Sequence, residues 1–117
     1  MLRILKRIKS HVELKYGRVL LKPPKIMGRR LRIFFRDGSL MDVRYPRRGE
    51  YSHWQKGEIV IRIDTAPHHP HISTCPRHIH YLSENNVIED RVTVLMGNPV
   101  SNVDRFIDFL IRNKFIT

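Results

Sequence analysis

The sequence predicts an α+β fold: a mainly antiparallel sheet of about five strands, a C-terminal helix packed on one face and a short N-terminal helix. Three observations predict it. Alternating apolar and polar residues flank turns at Gly38 and Gly57, the period expected of strands joined as hairpins. Val103, Phe106, Ile107, Leu110 and Ile111 recur at helical intervals. Between these regions Pro67, Pro70 and Pro76 interrupt regular structure. The 117 residues suffice for one hydrophobic core, so residues 1–117 are expected to form a single domain.

In chain order, residues 2–14 place Leu5, Ile8 and Val12 on one side of a helix, beside Lys6, Arg7 and Lys9. Residues 18–21 read as a strand or a helix end, and Pro23-Pro24, lacking backbone donors, mark a connection. Residues 30–35 and 39–45 form a hairpin whose register the alternation decides. A two-residue loop at Asp37-Gly38 sets Ile33 opposite Asp42, which puts a charge in the core. A three-residue loop with Gly38 left-handed instead gathers Leu31, Ile33, Phe35, Met41, Val43 and Tyr45 on one buried face, with Arg32 across from Asp42 outside. That register is preferred.

A second hairpin turns around Gln55-Lys56-Gly57, between a strand ending at Trp54 and residues 58–64. Ile59, Ile61 and Ile63 face inward, Arg62 and Asp64 outward, and Trp54 reads as a core anchor. Glu84-Asn85-Asn86 is turn-like, and residues 91–96 return to a strand pattern. Ser101 with Asp104 three residues later suggests a capping box opening the last helix, with Arg112 and Lys114 at its negative end.

The net charge of +11 is unevenly placed. Residues 1–50 carry 15 Lys and Arg against 4 Asp and Glu, whereas residues 51–117 carry seven of each. One basic face is thus expected to meet a polyanion or an acidic protein, with Arg29, Arg30, Arg32, Arg36, Arg44, Arg47 and Arg48 tracking phosphates and Phe34 stacking on a base. Apolar runs are far shorter than a membrane span needs, the first residues lack the pattern of a secretory signal, and the lone Cys75 suits a reducing compartment. A cytoplasmic protein with no membrane contact is expected.

Five of the seven histidines fall between Asp64 and His80, in Asp64-Thr-Ala-Pro-His68-His69-Pro-His71 and Cys75-Pro-Arg77-His78-Ile-His80. Two imidazoles can divide acid and base roles at neutral pH, and a carboxylate can orient one of them. That suits phosphodiester cleavage: Asp64 orients His68 or His69, His78 or His80 is the partner acid, and Arg62 or Arg77 stabilises charge on phosphorus. No cofactor is then needed. The same residue types fit a divalent metal site formed by Asp64, His68, His69, His78 and His80. A third reading is a non-catalytic binding module in which the histidines stiffen a loop. His11 and His53 look incidental.

The residues Phe35-Arg-Asp-Gly-Ser-Leu40, residues 51–54, Arg62-Ile-Asp64-Thr-Ala-Pro67-His68-His69-Pro70 and residues 73–80 resemble the TumE-like toxin components of bacterial and archaeal toxin–antitoxin pairs, over roughly residues 25–113. Members tend to carry histidine where this chain has Arg77 and an aromatic residue where it has Cys75. The resemblance implies a small α+β toxin that acts on RNA and is neutralised by an antitoxin, usually a helix-turn-helix protein. Association of the chain with itself stays open.

Overall fold

The computed structural model describes residues 2–45, 49–94 and 98–117. Leu5, Ile8, Val12 and Tyr16 recur at helical spacing and form the buried stripe of α1 (Leu2–Tyr16). A short 3-10 turn, Gly17–Val19, leads into a seven-stranded antiparallel meander: β1 (Leu20–Met27), β2 (Arg30–Phe35), β3 (Leu40–Arg44), β4 (Tyr51–Lys56), β5 (Ile59–Asp64), β6 (His78–Leu82) and β7 (Val87–Glu89). The chain closes with α2 (Pro99–Arg112). The architecture is α+β as expected, with seven strands rather than about five.

The first hairpin has the register that alternation selects. Arg32 pairs with Asp42 and Ile33 with Met41, and the loop turns through Gly38 at a φ of 89°. Leu31, Ile33, Phe35, Met41 and Val43 are fully buried on the inner face. Outside, the Arg32 guanidinium donates to both Asp42 oxygens at 2.8 and 2.9 Å.

Asp37 fixes this loop by accepting from the Ser39 amide (2.9 Å), the Ser39 hydroxyl (2.6 Å) and Lys56 Nζ (3.1 Å). Burial pushes its carboxyl upward, but those donors outweigh burial and leave it below the ordinary 3.8. A depressed folded-state pKa gives stability that is present above the unfolded value and lost as pH falls through the folded one. Asp37→Asn is therefore expected to cost about 1–2 kcal/mol at pH 7 and progressively less below about pH 3.8. Equal losses at pH 7 and pH 3 in urea titrations would rule out this attribution.

Several expectations are corrected. Pro23 and Pro24 lie inside β1, the edge strand, where a missing donor costs least, and the pairing with β2 shifts register around them. The second hairpin turns at Gly57-Glu58, since Lys56 pairs with Ile59, and Ile59 is exposed at the strand end while Ile61 and Ile63 are buried. Among the described residues the last strand is β7. Residues 91–94 form no strand, and Leu95 and Met96 lie outside the described residues. Asn98, not Ser101, caps α2: its side chain accepts from the Val100 amide at 2.8 Å, with Pro99 next in the chain. Ile111 lies off the apolar stripe and is exposed.

Val103, Phe106, Ile107 and Leu110 of α2 join the α1 stripe and the inner sheet face in one buried cluster around Trp54. His11 is not incidental, because its Nε2 meets Asp104 at 2.7 Å and so ties α1 to α2. Nearby, the Tyr16 hydroxyl donates to Asp108 at 2.7 Å. Burial, then that acceptor, hold the phenol above its usual pKa.

Candidate active site

The sheet register builds the site. Across β5 and β6, Asp64 stands opposite His78 and Arg62 opposite His80. Residues two apart on a strand share a face, so these four side chains form a block on the outer face of the sheet. That face is covered here. The segment between β5 and β6 folds back through successive turns, with the Ile72 amide donating to His69 O, Cys75 to Ile72 O and Arg77 to Thr74 O. Asp64, His78 and His80 consequently retain only 6, 2 and 6 % of their exposure.

Asp64 Oδ1 lies 2.9 Å from His78 Nε2, and Oδ2 lies 3.7 Å from His80 Nε2. The two Nε2 atoms are 3.1 Å apart. His78 Nδ1 sits 3.0 Å from the Pro76 carbonyl and His80 Nδ1 2.7 Å from that of Glu84. A carbonyl can only accept, so each Nδ1 carries the hydrogen and each Nε2 turns to the centre of the cluster. Asp64 is also held by Arg62 Nε (3.0 Å) and the Ala66 amide (3.0 Å), while Arg62 Nη2 meets His80 Nε2 at 2.8 Å and its Nη1 meets Glu84 at 2.6 Å.

His69 completes the group, its ring centroid 4.7 Å from that of His78 and 5.8 Å from that of His80. It is half-buried, whereas His68 and His71 are exposed. Partial desolvation, then the imidazoles of His78 and His71, hold the His69 pKa below the ordinary histidine value. Asp64 was expected to orient His68 or His69; its partner is His78 instead, because Asp64 and His78 are ladder neighbours.

Beside the cluster opens a cleft of about 730 Å³ lined by Arg44, Glu50, Tyr51, Arg62 and Asp64, among others. The guanidinium carbons of Arg44 and Arg62 lie 4.2 and 5.5 Å from the Tyr51 ring centroid. Tyr51, Glu50 and Glu84 were missed in the sequence; only their contacts with arginine and histidine reveal them. The outer face continues across β4, β3 and β2 through Arg44, Arg32, Arg30 and Phe34, the last half-buried under Lys22 Nζ at 4.3 Å. Arg29 and Arg36 are exposed beside it, Arg36 donating to the Leu20 carbonyl, and Arg47 and Arg48 lie outside the described residues. Arg77 does not belong to this face. It is 4 % exposed, points inward, and donates to Glu50 (2.6 Å), Asp90 (3.2 Å) and Thr93 (2.9 Å), so it is not placed to contact phosphate.

A family model described as toxin TumE matches residues 1–114. The chain belongs to the TumE toxin family. The match takes in α1 as well as the sheet and α2, so it reaches beyond the motifs legible in the sequence. No curated protein and no solved structure matches the chain at a significant level. For this TumE-family chain the membership identifies a toxin component, whose counterpart is an antitoxin. No helix among the described residues is long and apolar enough to cross a membrane.

Proposed function

We propose that this TumE-family toxin acts on RNA as a small cytoplasmic endoribonuclease whose reacting centre is the histidine cluster. One observation carries the reading: three imidazoles and a carboxylate converge beside a cleft walled by two arginines. His69, the member of the trio that meets solvent, takes the proton of a ribose 2′-hydroxyl as that oxygen attacks phosphorus. The bond from phosphorus to the 5′-oxygen breaks, and exposed His68 supplies the proton to the departing oxygen. The products are a 2′,3′-cyclic phosphate and a 5′-hydroxyl. Arg44 and Arg62 offset the charge developing on phosphorus, and Asp64 with His78 positions His69 from behind. The basic outer face guides the flanking RNA, and a helix-turn-helix antitoxin neutralises the protein.

His69→Ala is expected to lower cleavage of an RNA oligomer about a hundredfold or more, with cyclic phosphate ends on the wild-type products, and to relieve growth arrest when the toxin is expressed alone. An RNA bearing a 2′-deoxy nucleotide at the cut site should resist the wild type. Undiminished toxicity and cleavage by the variant would reject the reading.

A further inference from the structure

We infer that Asp64, His78 and His80 form a binding site for one divalent transition-metal ion. The inference stands independently of the ribonuclease reading. Both imidazoles are fixed through Nδ1 to backbone carbonyls, Pro76 at 3.0 Å and Glu84 at 2.7 Å, and so present Nε2 lone pairs. Pinning the outer nitrogen in this way is the usual device that orients a metal-ligating histidine. Asp64 Oδ1 stands 2.9 Å from His78 Nε2, the two Nε2 atoms stand 3.1 Å apart, and Asp64 Oδ2 stands 3.7 Å from His80 Nε2. Around one ion with bonds of about 2.1 Å, neighbouring ligand atoms stand about 3.0–3.6 Å apart. The observed spacings bracket that range.

With the Nδ1 hydrogens directed to carbonyls, the two Nε2 atoms and Asp64 Oδ1 converge, an arrangement that one cation shared among them closes, as does a hydrogen on His78 Nε2 donated to Asp64. Arg62 supplies part of that charge from one side, through Nη2 to His80 and Nε to Asp64. An ion takes over those two contacts, and the guanidinium retains Glu84 through Nη1. Two nitrogens and one carboxylate oxygen suit zinc or manganese and give little hold to calcium or magnesium. His69 has a ring nitrogen within 4.8 Å of those of His78 and His80, near enough to add a further ligand. The cleft beside Asp64 and Arg62 offers a path in.

The test uses the full chain after treatment with a chelator. Isothermal titration and equilibrium dialysis with Zn²⁺, and separately with Mn²⁺, are expected to show one ion per chain, with Mg²⁺ and Ca²⁺ far weaker. His78→Ala and His80→Ala are each expected to weaken binding about a hundredfold, whereas His71→Ala, an exposed imidazole outside the set, leaves it unchanged. Circular dichroism checks the fold, and Asp64→Asn repeats the test should either alanine variant fail to fold. No saturable binding by the wild type, or binding undiminished in His78→Ala and His80→Ala, overturns the inference. A bound ion in a protein that leaves RNA intact upholds it and removes the ribonuclease reading, whereas RNA cleavage without any bound ion does the reverse.

Discussion

Arg77→Ala is expected to destabilise the protein by about 3–5 kcal/mol, the range for removing one partner from a buried charge network. The arginine carries the positive charge of a knot that joins three parts of the chain. Its Nη2 reaches Glu50 just before β4, and its Nε reaches Asp90 just after β7 and Thr93 beyond it. Glu50 in turn accepts from Asn102 of α2 at 3.3 Å. Truncation leaves the buried Asp90 carboxylate with amide and hydroxyl donors but no cation. The cost comes chiefly from that stranded charge, not from the lost packing of the arginine stem. Urea denaturation at pH 7 should show a lower midpoint at an unchanged slope. A loss under about 1 kcal/mol would mean that water already screens the pair, as it does at exposed ion pairs.

Arg77 also shows where a sequence stops being informative. A lone arginine beside histidines reads as a phosphate contact, and its acidic partners lie 13 and 27 positions away. Strand alternation, applied with β6 in place, sends it inward with Ile79, but β6 itself was hidden by polar residues on its covered face. The β2–β3 hairpin was legible because each alternative register made a different prediction about Asp42, and only one kept charge out of the core. β1 was illegible for the opposite reason. Its prolines exclude a central strand, and nothing local says that the strand sits at an edge. For the candidate site, composition singled out the segment whose histidines converge, yet which carboxylate faces which imidazole depends on the pairing of Asp64 with His78, a non-local fact.

Trp54→Ala is expected to cost about 3–5 kcal/mol, while Trp54→Phe costs far less, and the contrast separates two properties of the indole. Trp54 is the largest fully buried side chain, packed edge-on to Phe115 with ring centroids 5.6 Å apart. Alanine removes the ring and leaves a cavity between the inner sheet face and the chain end after α2, which close-packed neighbours fill only in part. The indole N–H, however, has no hydrogen-bond partner among the described residues. An unpaired buried donor costs about 1–3 kcal/mol, so phenylalanine relieves that penalty while keeping most of the apolar volume. The two effects oppose each other, and the net loss for Trp54→Phe should stay below about 1.5 kcal/mol. Thermal and urea unfolding of both variants gives the comparison. If phenylalanine proved as damaging as alanine, the indole N–H would be a satisfied donor that contributes to stability, and ring size alone would not explain the position.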